Sequence, residues 1–239
     1  MLAFSSEMSG EAMGEIRAAR GANRWRRQPK EARRQELIEA TIDAIARHGY
    51  EETTMAVVAD GAGLSRGIVN FHFESKEKLL VETLRSLAEE YRAHWRGALQ
   101  EAGPSAAEKL WALVLADFDR RICSPRKIAA WCAFWGEAKT RPQYRALCSA
   151  NDADYQQAFL GLCRDLAAEG QSPDLLARGL SGLLEGLWLQ LMMGPKEFDR
   201  DEARACAVAM LVSIFPRHFT SDGPIGFQPS RPTPDGEVA

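Results

Sequence analysis

The chain has 239 residues, 46% of them hydrophobic, and a formal net charge of −3, enough for one large domain or two modest ones. No apolar run approaches the roughly 18 residues that cross a bilayer; the most apolar stretch, Gly179 to Met193, is interrupted by Ser181, Glu185 and Gln190. The first residues lack the charged, apolar and cleavage regions of a secretory signal, so a cytoplasmic protein is expected.

Five cysteines (Cys123, Cys132, Cys148, Cys163 and Cys206) are widely spaced, without a C-x-x-C and without a histidine at ligand spacing. Reduced structural thiols, no metal and no cofactor are expected. The net charge conceals a basic arm. Between Arg17 and Arg34 eight basic residues (Arg17, Arg20, Arg24, Arg26, Arg27, Lys30, Arg33 and Arg34) accompany one acid, Glu31. Such a run suits a polyanion, and equally a solvated leader. Residues 1–29 show no sustained apolar periodicity and read as a flexible arm.

From Glu31 the pattern turns helical, with Ile38, Thr41, Ile42 and Ile45 at three- and four-residue steps and Gly49 as a stop. Thr54 is placed to cap a short helix with Val58 and Ala62 inward, its hydroxyl accepting an orphan amide proton. Gly63 ends that helix, and Ser65 caps the next. Ser75 caps a longer one that buries Leu80, Leu84, Leu87 and Tyr91 and runs to about Leu99, before the break at Gly103-Pro104. Further helices are predicted at about Ser105 to Arg121, Pro125 to Lys139, Pro142 to Glu169, Pro173 to Met193 and Asp199 to Phe215. Their prolines fall where the first helical turn favours them. From Thr220 proline and glycine dominate, so residues 219–239 read as a disordered tail. No strand and no internal repeat is evident, and the fold class is all-α.

Gly63-Leu64-Ser65-Arg66-Gly67 matches G-x-S-x-G, the elbow that presents a serine nucleophile in many hydrolases. That elbow needs a buried strand before the serine and a long helix after it. Here a capped helix comes before and only one or two turns come after, so a hydrolase using Ser65 is disfavoured and no catalytic residue is assigned. What the residues do make is helix, tight turn, helix. The second helix offers Ser65, Arg66, Gly67, Asn70, Phe71 and His72, with polar groups near its N-terminus as major-groove reading requires. Arg66 suits guanine and Asn70 adenine. Thr54, the Ser65 hydroxyl and Lys76, all at helix starts, suit phosphate. Ile68, Val69 and Phe73 are expected to face inward.

The stretch "TTMAVVADGAGLSRGIVNFHFESKEKLL" resembles the DNA-binding signature of the TetR family of bacterial repressors, over about Glu31 to Leu84. That signature has a threonine-capped second helix, an Ala-Gly-Val/Leu-Ser turn, a recognition helix ending in an aromatic pair, and a Ser-Lys-x-x-Leu opening of the fourth helix. Asn70 stands where the family often has tyrosine, and His72 where it has tyrosine or histidine, so operator preference does not carry over. "AAWCAFWGEAKTRPQYRAL" and "LLEGLWLQLMMG" are similar to the C-terminal domain of the choline-responsive, BetI-like branch, over about Ser105 to Phe215. The resemblance implies a homodimeric repressor of a pseudo-palindromic double-stranded DNA operator, released by a small molecule, choline or a related quaternary ammonium compound. With the arm and tail read above, the expected division is arm (1–29), helix-turn-helix domain (30–75), effector-binding and dimerisation domain (76–218) and tail (219–239).

Trp131 and Trp135 are four residues apart and share a helix face, with Phe134 beside it. Trp188 lies in another helix, and Trp111 and Phe118 in a third. Converging, these rings would enclose a quaternary ammonium group by cation–π attraction, with Asp117, Glu137 and Glu185 as counter-charges. The same rings suit ordinary core, in which case the protein is a DNA-binding module without an effector. Gly179, Gly182 and Gly186 each cost up to about 1 kcal/mol relative to alanine inside a helix, and close helix approach would offset that. The resemblance implies that the segments from Pro142 and Pro173 pair with their twins in a dimer, with Gly179, Gly182, Leu183, Gly186 and Leu187 at the contact. Relief of crowding within one subunit is the alternative. No membrane partner is expected.

Overall fold

The computed structural model describes residues 29–194 and 199–226. The expected basic arm before Pro29 and the tail beyond Gly226 lie outside the described residues. The helices are α1 (Lys30–Glu52), α2 (Met55–Ala62), α3 (Arg66–Phe73), α4 (Lys76–Glu101), α5 (Ala106–Ala116), α6 (Pro125–Ala138), α7 (Pro142–Leu166), α8 (Pro173–Met193) and α9 (Arg200–Ile214). A hairpin of two short strands, β1 (Phe219–Thr220) and β2 (Gly223–Pro224), follows. The architecture is all-α apart from that hairpin.

The chain divides into two compact units. The first takes the chain to Tyr91 together with Ser124–Asn151; the second takes Arg92–Cys123 together with the chain from Asp152. The packing does not divide at the expected boundary between residues 75 and 76. Helix α6 and the start of α7 pack with the helix-turn-helix helices, α6 lying chiefly against α1.

In the first unit α1 buries Leu37, Ile38, Ile42 and Ile45 at helical spacing. Gly49 takes φ 81°, ψ 174°, a break that a side chain would strain. Tyr50, immediately after it, is buried edge-on against Phe134 and Tyr144, with ring centroids 6.1 and 6.3 Å away. The two tyrosine hydroxyls share a buried hydrogen bond of 2.8 Å. Burial raises the pKa of both phenols, so both stay neutral. Arg141 lies over both rings, 5.4 and 5.7 Å from their centroids. Arg126, near the start of α6, reaches back to the Glu39 carboxylate of α1 at 2.6 Å.

In the second unit Ser105 and Glu108 form a reciprocal capping box at the start of α5. That helix ends at Ala116, about a turn before the expected Arg121. The Asp119 carboxylate accepts from the Arg121 backbone N–H at 2.8 Å, and a tight turn replaces the last helical turn. Pro173 follows the Ser172 cap of α8, and Asp199 caps α9 by accepting from the amides of Asp201 and Glu202. The tail expected from residue 219 is corrected at its start. Phe219 is buried and stacked on Trp111 at 6.1 Å, and burial of that ring holds the hairpin in place.

Candidate functional site

The helix-turn-helix is built by local chemistry. The Thr54 hydroxyl accepts from the Val57 amide at 3.2 Å and opens α2. Gly63 closes it in the left-handed conformation at φ 67°, where its amide reaches back to α2 carbonyls. Ser65 stands at the cap position of α3, but its hydroxyl makes no capping hydrogen bond, so the expected cap is positional only. Among the described residues no strand precedes Ser65, as a nucleophile elbow would require.

Helix α3 buries Val69, His72 and Phe73, an i, i+3, i+4 face, and exposes Ser65, Arg66, Gly67, Asn70 and Phe71. Phe71 is 76% exposed, next to the exposed Ile68. Two expectations are corrected. Ile68, expected inward, is exposed. His72, expected at the reading surface, is 7% exposed and its Nδ1 has no hydrogen-bond partner. A residue 300° around the helix from Val69 falls on the same face as Val69, which explains the inward turn.

Lys76, expected on phosphate, donates to the carbonyls of Glu51 at 2.8 Å and Tyr50 at 3.4 Å, so its ammonium caps the C-terminal end of α1. Arg34, read as part of the basic arm, is structural as well. It donates to the His72 carbonyl at 2.9 Å, pairs with Glu82 at 3.2 Å and lies over the Phe73 ring at 4.5 Å. Sequence reasoning missed both roles because the partners are remote in the chain.

The candidate effector residues divide between the two units. Trp131, Trp135 and Phe134 belong to the first. Trp131 packs edge-on against Tyr91 at 6.3 Å and is tilted by 34° to Trp135, their centroids 6.0 Å apart. Trp131 is buried and Trp135 partly exposed. Phe134 is fully buried between Tyr50 and Tyr144, so it is core rather than pocket lining. Glu137 is paired with Arg141 at 2.9 Å. Trp188, Asp117 and Trp111 belong to the second unit. Trp188 donates from Nε1 to the Asp117 carbonyl at 3.1 Å, and the buried Asp117 carboxylate accepts from the Tyr155 hydroxyl at 2.9 Å. Asp117 is thereby a hydrogen-bonded core group, not a counter-charge open to a ligand.

On α8 the inward face is Ala177, Leu180, Ser181, Leu184, Leu187 and Trp188. Leu187, expected at a dimer contact, is therefore core. The outward face carries Leu175, Gly179, Gly182, Gly186, Leu189 and Met193 at alternating steps of four and three residues. Leu183 is half-buried between the two faces. A Cβ added to Gly179, Gly182 or Gly186 would meet nothing within 4 Å. Crowding within the subunit therefore does not explain these glycines.

Residues 37–83 match the N-terminal domain of bacterial regulatory proteins of the tetR family. Residues 106–216 match the C-terminal domain of BetI-type transcriptional repressors. The HTH-type transcriptional regulator BetI of Ectopseudomonas mendocina is 34% identical over 73% of this chain and 89% of its own. BetI of Paraburkholderia xenovorans is likewise 34% identical over 73% and 89%. Among solved structures, a putative transcriptional regulator from Pseudomonas aeruginosa is 29% identical with a TM-score of 0.68, covering 81% of this chain and 95% of its own. A putative regulator from Saccharomonospora viridis, in complex with choline, is 24% identical with a TM-score of 0.67, covering 77% and 96%. These relatives are transcriptional regulators, not enzymes.

The inward His72 predicts a pH dependence. Burial first, then the charges of Arg33, Arg34 and Lys30, hold its imidazole below the usual histidine range, so it folds neutral. Below about pH 6.5 the unfolded chain binds a proton that the folded chain refuses, and stability falls with pH. The drop in thermal midpoint between pH 7.5 and 5.5 should shrink in His72→Phe. Equal drops in the variant and the parent would exclude this origin.

Proposed function

Because the chain belongs to the TetR family of bacterial transcriptional regulators and carries a BetI-type C-terminal domain, we propose that it is a ligand-responsive repressor acting in the cytoplasm. It binds a pseudo-palindromic operator as a homodimer, two copies of α3 entering successive major grooves about one helical turn apart. The carrying observation is the reading surface of α3: Ser65, Arg66, Gly67, Asn70 and Phe71 are exposed on a helix whose opposite face is locked by Val69, His72 and Phe73. Residues 30–75 supply the reading head, and residues 76–218 supply the effector and dimer functions.

The outward stripe of α8 supports the dimer. Leu175 and Met193, at its two ends, are 71% and 73% exposed, and the glycines between them leave room for a second backbone to approach. The effector is choline or a related quaternary ammonium compound, bound at the Trp131, Trp135 and Tyr91 rings. The partly exposed Trp135 indole next to a second indole supports this, since a cation gains most on desolvated indole faces. A structural relative in complex with choline supports it too. Phe134 lies on the same helix as both indoles and packs on Tyr50 at the end of α1, so a shift of α6 reaches the reading head through that ring. The effector acts only as far as it favours one arrangement over the other.

Binding-site selection from random duplex DNA tests the head. Arg66→Ala and Asn70→Ala should each lose about 1–3 kcal/mol of discrimination at one base pair while keeping the rest of the site. A selected sequence unchanged in both variants would remove α3 from the reading role.

Sedimentation tests the dimer. Gly182→Leu adds a side chain into open space in one subunit and improves helix propensity by up to about 1 kcal/mol, so it should leave the thermal midpoint of the monomer intact while splitting the dimer. A parent protein that sediments as a monomer at micromolar concentration would refute the assembly.

Tryptophan emission tests the effector. Choline should change it saturably, and Trp135→Ala should weaken choline binding more than tenfold, the loss of a contact of about 2 kcal/mol, while operator binding survives. A parent protein whose emission is indifferent to millimolar choline would overturn this assignment and leave the DNA-binding one standing.

A further inference from the structure

The second unit holds a cleft of about 690 Å3, lined by none of the residues assigned above to DNA reading or to the α8 stripe. Its lining includes several residues with little or no side chain, Ala93, Gly97 and Ala98 on α4 and Ala112 and Ala116 on α5, beside His94, Leu115 and Phe118. Its rim is cationic, with Arg120 and Arg121 from the turn after α5 and Arg200 and Arg204 from α9. One of these arginines is already satisfied. Arg121 makes two parallel hydrogen bonds to the Asp119 carboxylate, at 3.0 and 3.1 Å, which hold that acid at about 2.

The other three have donors to spare. Arg200 and Arg204 approach the Asp201 carboxylate only to 3.7 and 3.6 Å, beyond normal hydrogen-bond length. Arg120 has no acidic partner among the described residues. Asp201 and the rim residue Glu101 offset two of these three positive charges, leaving the excess that one negative charge balances. A second groove of about 580 Å3 adjoins the first, sharing Leu115 and Arg204, and is mainly apolar, with Trp111, Val208 and Val212 along it.

We infer that these adjoining cavities bind an amphiphilic monoanion, a carboxylate bearing an aliphatic chain. The planar guanidinium forks of Arg120, Arg200 and Arg204 match a carboxylate in geometry and charge. The chain lies along Trp111, Leu115, Val208 and Val212, where its burial adds to affinity with each methylene. The cleft repels a quaternary ammonium ion, so this site is separate in chemistry from the tryptophan rings of the first unit and does not rest on the choline assignment.

The test is calorimetric titration of the full-length protein with four probes below their micellar concentrations: dodecanoate, octanoate, dodecanol and dodecyltrimethylammonium. Dodecanoate should bind saturably at one site per chain, octanoate at least tenfold more weakly, and the alcohol and the ammonium compound negligibly. Arg200→Gln with Arg204→Gln should weaken dodecanoate at least tenfold. Arg120→Gln, an exposed change that leaves the fold alone, should weaken it as well, which keeps the test decisive if the double variant unfolds. In Trp111→Phe the emission change caused by dodecanoate should disappear. Equal binding of dodecanol or dodecyltrimethylammonium, or dodecanoate binding indifferent to Arg120→Gln and to the double variant, would overturn the proposal. Operator binding, measured alongside, reports on the DNA-reading head independently.

Discussion

The reading head depends on how the end of α1 is held. The chain breaks at Gly49, and from there Tyr50 is fixed on every side: its ring by Phe134 and Tyr144, its hydroxyl by Tyr144, its carbonyl by Lys76. Lys76 is the first residue of the helix that follows the recognition helix. One buried cluster therefore joins the platform under α3 to α6 and α7, which are far away in sequence. Buried hydroxyls tolerate no loose geometry, because an unpaired one costs about 1–3 kcal/mol.

That arrangement explains why the reading head does not pack as an independent three-helix module. Arg34 holds the C-terminal end of α3 through the His72 carbonyl, and Arg126 holds α1 from α6. The head thus has two guanidinium ties, one inside it and one to the helix that carries Trp131 and Trp135. The helix that carries those indoles belongs to the same compact unit as α3. Any coupling of a ligand to the reading head needs a two-state element whose balance the ligand biases; the Tyr50–Phe134–Tyr144 contact is where α6 and α7 meet the end of α1.

Much of this was legible in the sequence where the physics is local. Thr54, Ser75, Ser105 and Ser172 cap helices because a side-chain oxygen satisfies an amide three residues on. Gly63 and Gly49 take positive φ where they were read as stops. His72 was misplaced because a helix of eight residues carries too few apolar positions to fix its inward direction; taking Val69 as the origin, the i, i+3, i+4 rule selects His72 and Phe73 and leaves Ile68 out. The hairpin at Phe219 connects its strands through Ser221-Asp222, short polar residues that suit a tight turn. The Asp117 network and the roles of Arg34 and Lys76 had none, because their partners lie between 25 and 71 residues away.

Charge sorts the surfaces of the molecule more sharply than the net value suggests. Around α3 most cations are committed to scaffold: Arg34 to His72 and Glu82, Lys76 to carbonyls, Lys78 to Glu74. Arg66 is the exposed cation on α3 itself. In the second unit the balance is reversed, with three guanidinium groups short of partners around an open cleft that ends in an apolar groove. Guanidinium groups with donors to spare beside a cavity are the arrangement that recognition of an anion requires.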